Sequence, residues 1–265
     1  MPGRRVIVHA GFHKTGTTSA QKFLRANGKN IWPRCALVLP GKLRKGAARM
    51  AARYSRFATP ALLDQFGTDL HSVLSAIDVR NRNVLISDEN LAGRMPGRDG
   101  QPDYGATPTL MARAEDVICD VFGAETDVVF HFTTRSQHDW LGSTYKHNLR
   151  TSRLTQDEAE YRATYQAASD LNAVVHSVSQ AVTGTVHAAD LAELNGPFGP
   201  AQPLVDLMEL PDHRRKHLKP HPPQNAGPAD DLIADLLALN RGQLSDEALA
   251  AAKADLLEKA VQHDG

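Results

Sequence analysis

The chain has 265 residues, 42% of them hydrophobic, with 30 Lys plus Arg against 30 Asp plus Glu. That composition excludes a disordered chain and suffices for one large domain with a substantial core. The even charge excludes a global basic field for nucleic acid, so any anion site must be local.

Cys35 and Cys119 are the two cysteines, far apart and without a metal-type spacing, which suits a reducing compartment. No stretch is apolar enough to span a bilayer, and Val6 to Ala10 is too short for a signal-peptide core. The expected location is the cytoplasm.

In chain order, "RRVIVHAG" reads as a buried strand closed by Gly11, and Thr17 to Asn27 as a helix with Ala20, Phe23 and Leu24 on one face. "CALVLPG" is a second strand candidate. Residues 42–58 are rich in Lys and Arg, weakly patterned, and read as a solvated segment with at most a short helix. Pro60 to Ile77 has helical spacing, and "NVLISDEN" is a buried strand ending in acids. A Gly/Pro-rich loop at 93–108 precedes a helix from about Thr109 to Phe122 and the strand "TDVVFHFTTR". Helices are expected from Ser136 through Tyr145 and from Gln156 to about Gln180. "GTVHAADL" is a last short strand, and Pro203 to Leu210 a short helix. The basic run 211–227 precedes two C-terminal helices within 228–262, one starting near Pro228 and one after Ser245, a natural N-cap.

Strands alternating with helices predict one α/β domain over residues 1–265, its core at about 4–210, with a mostly parallel sheet and a helical C-terminal extension. On such sheets ligands bind beyond the carboxyl ends of the strands. Three strands end in reactive chemistry: Gly11 to Thr18, Ser87-Asp88-Glu89, and Thr133-Thr134-Arg135.

Strand, glycine-containing loop and helix together form an anion cradle, because the first helix amides lack internal partners and the helix dipole adds positive charge. A nucleoside-triphosphate loop has the form GxxxxGK[ST]. Gly11 and Gly16 have that spacing here, but Thr17 occupies the lysine place and the nearby lysine is Lys14. Thr17 and Thr18 offer hydroxyls at the helix start.

"HKTGTTSAQ" resembles the phosphosulfate-binding loop of sulfotransferases that use 3′-phosphoadenosine 5′-phosphosulfate (PAPS). "GFHKTGTTSAQKFL" followed by "ALVLPG" resembles a bacterial branch of that P-loop superfamily more closely. "RSQHDWLGS" carries the resemblance further. An Arg at a strand end and a Ser eight residues on, Arg135 and Ser143, match the family's 3′-phosphate pair.

The resemblance covers Val6 to Leu149 by motif. It implies a three-layer P-loop-type sandwich that transfers a sulfuryl group from PAPS to a hydroxyl or amine, releasing adenosine 3′,5′-bisphosphate (PAP), with no metal required. The donor would be held by His13, Lys14, Thr15, Gly16, Thr17 and Thr18 at one end and by Arg135 and Ser143 at the other. Lys14 would also be catalytic. The acceptor would be a small molecule or carbohydrate, with no nucleic-acid or membrane-spanning partner.

Sulfuryl transfer needs a base for the acceptor proton. Glu89, just past "NVLIS", is the candidate, with Asp88 or a histidine as alternatives. Alternation along a strand points one of the two acids at the donor and leaves the other to cap or to solvent. His9 and His131 lie in strands and read as packed or hydrogen-bonded core residues. A P-loop kinase or NTPase holding magnesium through Asp88 and Glu89 is the rival reading, and a non-catalytic nucleotide-binding module is a third. In the basic run, Arg214, Arg215, Lys216 and Lys219 read as solvated. A role over the donor phosphate or an anionic acceptor is the functional alternative.

Overall fold

The computed structural model describes residues 3–220 and 232–263. Its centre is a five-stranded, wholly parallel sheet in the order β2-β3-β1-β4-β5. The strands are β1 (Arg5–His9), β2 (Cys35–Val38), β3 (Asn83–Ser87), β4 (Asp127–Thr134) and β5 (Thr185–Asp190). Val6 pairs with Val84 on one side and Val128 on the other, so β1 is central. Its apolar run is continuous because helices cover both faces.

The helices are α1 (Thr17–Ala26), α2 (Gly28–Ile31), α3 (Pro40–Leu43), α4 (Ala47–Phe57), α5 (Pro60–Ser75), α6 (Thr107–Phe122), α7 (Gln137–Thr151), α8 (Glu158–Tyr165) and α9 (Leu171–Ala181). They continue as α10 (Gln202–Leu207), α11 (Asp212–Arg215), α12 (Leu232–Arg241) and α13 (Asp246–His263). On one face of the sheet Val6, Val8, Val84, Ile86 and Phe130 pack with residues of α4, α5, α6 and α9. On the other, Ile7, Leu85 and Cys35 meet Phe23 and Leu24 of α1 and Leu204 of α10. The result is the expected helix–sheet–helix sandwich.

Several boundaries differ from those the sequence predicts. Residues 47–57 are a full helix, α4, whose Ala47, Ala48, Met50 and Ala51 are buried. The span from Gln156 to Gln180 is two helices, broken at Asp170, whose carboxylate caps α9 by accepting from the Ala173 amide at 3.0 Å. α7 runs on to Thr151, past Tyr145. Its C-terminal carbonyls are held by the C-terminal helices: Asn240 Nδ2 donates to Leu149 O and Leu154 O, and Lys253 Nζ to Leu149 O and Ser152 O. Ser245 Oγ accepts from the Ala248 amide at 3.2 Å, as an N-cap does. The expected helix start near Pro228 and residues 221–227 of the basic run lie outside the described residues. Among the described residues no helix is long and apolar enough to cross a membrane.

Candidate anion-binding site

The sheet order places β1 between β3 and β4. The order in which strands are added reverses there, and the loops leaving neighbouring strands separate into a crevice. The loop after β1, Glu89 after β3 and Arg135 after β4 therefore converge by topology.

The loop is shaped by three left-handed residues: Gly11 (φ 38°), Lys14 (φ 67°) and Gly16 (φ 89°). A Cβ on Gly11 would lie 2.5 Å from Thr17 Oγ1, and one on Gly16 would lie 2.9 Å from Leu191 and Pro200 side-chain atoms, so both turns require glycine. Lys14 has no such freedom, and its backbone is held by its neighbours. Arg135 Nη1 donates to Lys14 O at 3.2 Å and Trp140 Nε1 donates to His13 O at 3.0 Å. Thr15 Oγ1 and Thr17 Oγ1 both donate to Phe12 O, at 2.7 and 3.3 Å.

Protein donors thus take the carbonyls of Phe12, His13 and Lys14. Gly16 caps α1 without a side-chain bond. Among the described residues no acceptor takes the amides of Lys14 to Ser19, and the first bond of the helix is from Ala20 N to Gly16 O at 3.1 Å. A loop with its acceptors satisfied and its donors open is polarised for an anion. The Thr17 hydroxyl is buried and donates to Phe12 O. Thr18 is exposed.

Lys14, Arg135 and Arg150 form the positive side of the site. The Lys14 ammonium is pushed below its usual range by burial, then by Arg150 and Arg135. Ser143 is half-buried on α7, three residues after Trp140 and four before His147. It therefore shares the α7 stripe that Trp140 holds against the loop.

The two acids diverge. Asp88 is fully buried, and its Oδ1 accepts from the Asn90 amide and Asn90 Nδ2, both at 2.9 Å, capping a short 3₁₀ turn at Glu89–Ala92. Burial pushes the Asp88 carboxyl up, and its Oδ2 has no partner. Glu89 lies at the site: Oε2 accepts from Gln21 Nε2 of α1 at 3.0 Å, and Oε1 lies 3.8 Å from Arg44 Nη2.

His13 sits between the acids and the cations. Its backbone N–H donates to Tyr104 OH at 3.1 Å, and its Nδ1 lies 2.9 Å from the same hydroxyl. Burial, against the pull of Glu89, brings the imidazole down to about 4. His13 is therefore neutral at physiological pH.

Beneath the loop the sheet carries a polar row that pattern reading missed. Ser87, His9, His131 and His187 are register partners across β3, β1, β4 and β5. Ser87 Oγ lies 2.9 Å from His9 Nδ1 and 3.4 Å from Gln21 Nε2. His9 Nε2 and both ring nitrogens of His131 are buried without a partner. Burial lowers these imidazoles, His9 to about 4 and His131 to about 3.

The basic run sits elsewhere. Lys219 N donates to Asn27 Oδ1 at 2.8 Å, and Asn30 Nδ2 to His217 O at 3.0 Å, beyond the C-terminal end of α1. A ten-residue helix is about 15 Å long, so the described part of this run is a helix-length from the loop. Among the described residues no group of His, Cys, Asp and Glu is arranged to hold a metal ion. No protein-family model matches the chain, and no curated protein is found to be related to it.

Proposed function

We propose that the protein is a PAPS-dependent sulfotransferase acting in the cytoplasm. The observation that carries this reading is the polarity of the loop: carbonyls of Phe12, His13 and Lys14 bound inward, amides of Lys14 to Ser19 open, and Lys14 beside them. Such a cradle suits a phosphosulfate. Arg135 spans the loop from β4, and Ser143 lies on the adjoining stripe of α7, which suits a second phosphate.

The donor supplies a sulfuryl group on a phosphate leaving group. As the acceptor oxygen or nitrogen bonds to sulfur, the bond from sulfur to the 5′-phosphate oxygen breaks. The acceptor proton passes to Glu89, held in place by Gln21. Charge gathering on the departing phosphate is met by Lys14 and the open amides. His13, neutral and held by Tyr104, orients rather than deprotonates.

A magnesium-dependent kinase is the second reading, favoured by the unpartnered Asp88 Oδ2 at a strand end. Against it stand Thr17 in the lysine place and the Asn90 cap on Asp88 Oδ1. A binding module without catalysis is the third. Calorimetric titration with PAP and with ATP, each with and without magnesium, tests the reading. Metal-independent preference for PAP is expected, and preference for magnesium-ATP would overturn it.

A further inference from the structure

We propose that the acceptor is itself an anion, a carboxylate- or sulfate-bearing molecule held by Arg98 and Arg150; this rests on the sulfotransferase reading. α7 presents Trp140, Ser143, His147 and Arg150 at intervals of three, four and three residues, which is one face of a helix. Trp140 fixes the inner end of that face to the loop through His13 O. At the outer end Asn148 Nδ2 reaches Pro96 O at 3.4 Å and Tyr161 OH at 3.0 Å.

The turn that follows Pro96 is clamped. Gly97 N donates to Gln101 O, Arg98 N donates to Met95 O, and a Cβ on Gly97 would lie 2.6 Å from both Asn148 Nδ2 and Tyr161 OH. This turn carries Arg98 to the α7 face. The charges meet there. His147 is held at about 4 by burial and by Lys14, Arg150 and Arg98 together, and its Nδ1 is buried without a partner. Among the described residues neither Arg98 nor Arg150 pairs with a carboxylate or donates a side-chain hydrogen bond.

The donor accounts for the other cations. Its phosphosulfate takes Lys14 and the loop amides, and its 3′-phosphate takes Arg135 and Ser143. Arg98 and Arg150 remain. Arg98 belongs to the segment that continues from Glu89, and both act on the His13 imidazole. Like charges gathered around His147 repel, and an anion held by both arginines removes that cost. An acceptor bearing a carboxylate or sulfate near its reacting hydroxyl would be anchored there while that hydroxyl meets Glu89.

The test is calorimetry on the full chain in three steps: PAP alone, then inorganic sulfate or D-glucuronate added to the PAP-saturated protein. Wild type, Arg98→Ala, Arg150→Ala and the double variant are compared. PAP affinity is expected to fall by less in these variants than in Arg135→Ala. The second anion is expected to bind PAP-saturated wild type in the millimolar range and the double variant at least about tenfold more weakly. The stronger of the two probes identifies the anion type.

The proposal is overturned if the double variant loses PAP affinity as Arg135→Ala does, because the arginines would then serve the donor. It is also overturned if PAP-saturated wild type takes up neither anion. Failure of PAP to bind wild type at all removes the underlying reading first. Thermal midpoints of the variants are expected to equal or exceed wild type, since each removes an unpaired charge; a structural role would lower them.

Discussion

The two ends of α1 hold similar residues and do opposite things. At its C-terminal end Asn27 is fully engaged: Nδ2 donates to Phe23 O and Lys219 O, and Oδ1 accepts from Lys219 N. Arg215 nearby is paired with Asp206 at 2.5 Å. At its N-terminal end the amides are open and Lys14, Arg98 and Arg150 have no carboxylate. The densest basic run in the sequence lies at the closed end. The open end gathers cations from four distant places in the chain. Satisfied polar groups mark structure and unsatisfied ones mark a place for a ligand, and charge density along the chain does not distinguish the two.

Four experiments break or sharpen this contrast. Glu89→Gln should cut sulfuryl transfer by about 100- to 10,000-fold, the range for losing a general base, while PAP affinity stays unchanged. Equal activity in radiolabel-transfer assays would remove Glu89 from the chemistry. Arg135→Ala should weaken PAP binding by about 10- to 100-fold, the worth of a charged hydrogen bond. Arg215→Ala at the closed end should leave that affinity alone. Equal effects of the two on calorimetric affinity would erase the distinction between the ends.

The histidine row under the open end sets the third. His9 and His131 have folded values of about 4 and about 3, below the unfolded value of 6.5. Unfolded chains then take up protons that the fold refuses. Stability is therefore full above about pH 6.5 and falls as pH drops below it, by up to about 1.4 kcal/mol per unit per histidine. Asp88, whose carboxyl is pushed up, offsets part of this in acid. Urea midpoints at pH 7.5, 6 and 5 read the slope, and a flat profile would contradict the buried neutral pair. Smallest is Asn27→Ala, expected to cost about 1 kcal/mol in urea unfolding with no change in PAP affinity.

Much of this was legible in the sequence. Continuous apolar runs disclose β1, β3 and β4, since strands covered on both faces leave no polar alternation. Those strands deliver Lys14, Glu89 and Arg135 to one crevice. Helix α4 was hidden because its buried face is mostly alanine among Arg49, Arg53 and Arg56, which weakens the apolar pattern. Arg98 and Arg150 belong to no local motif. The interval from Ser143 to His147 and Arg150 would have revealed Arg150 once α7 was extended past Tyr145. Arg98 depends on a turn clamped by Asn148 and Tyr161, a tertiary contact with no sequence signature. The buried histidine row needs cross-strand register, which a single chain does not disclose.

The central position of β1 has a consequence for how the molecule is made. Val6 finds its partners at Val84 and Val128, so β1, made before both of its neighbours, waits for more than a hundred residues. The loop that follows it is synthesised early and takes shape late. Chains stopped at Phe122, before β4, should be readily degraded by protease, and resistance equal to the full chain would show that β1 and β3 hold the loop without their neighbour.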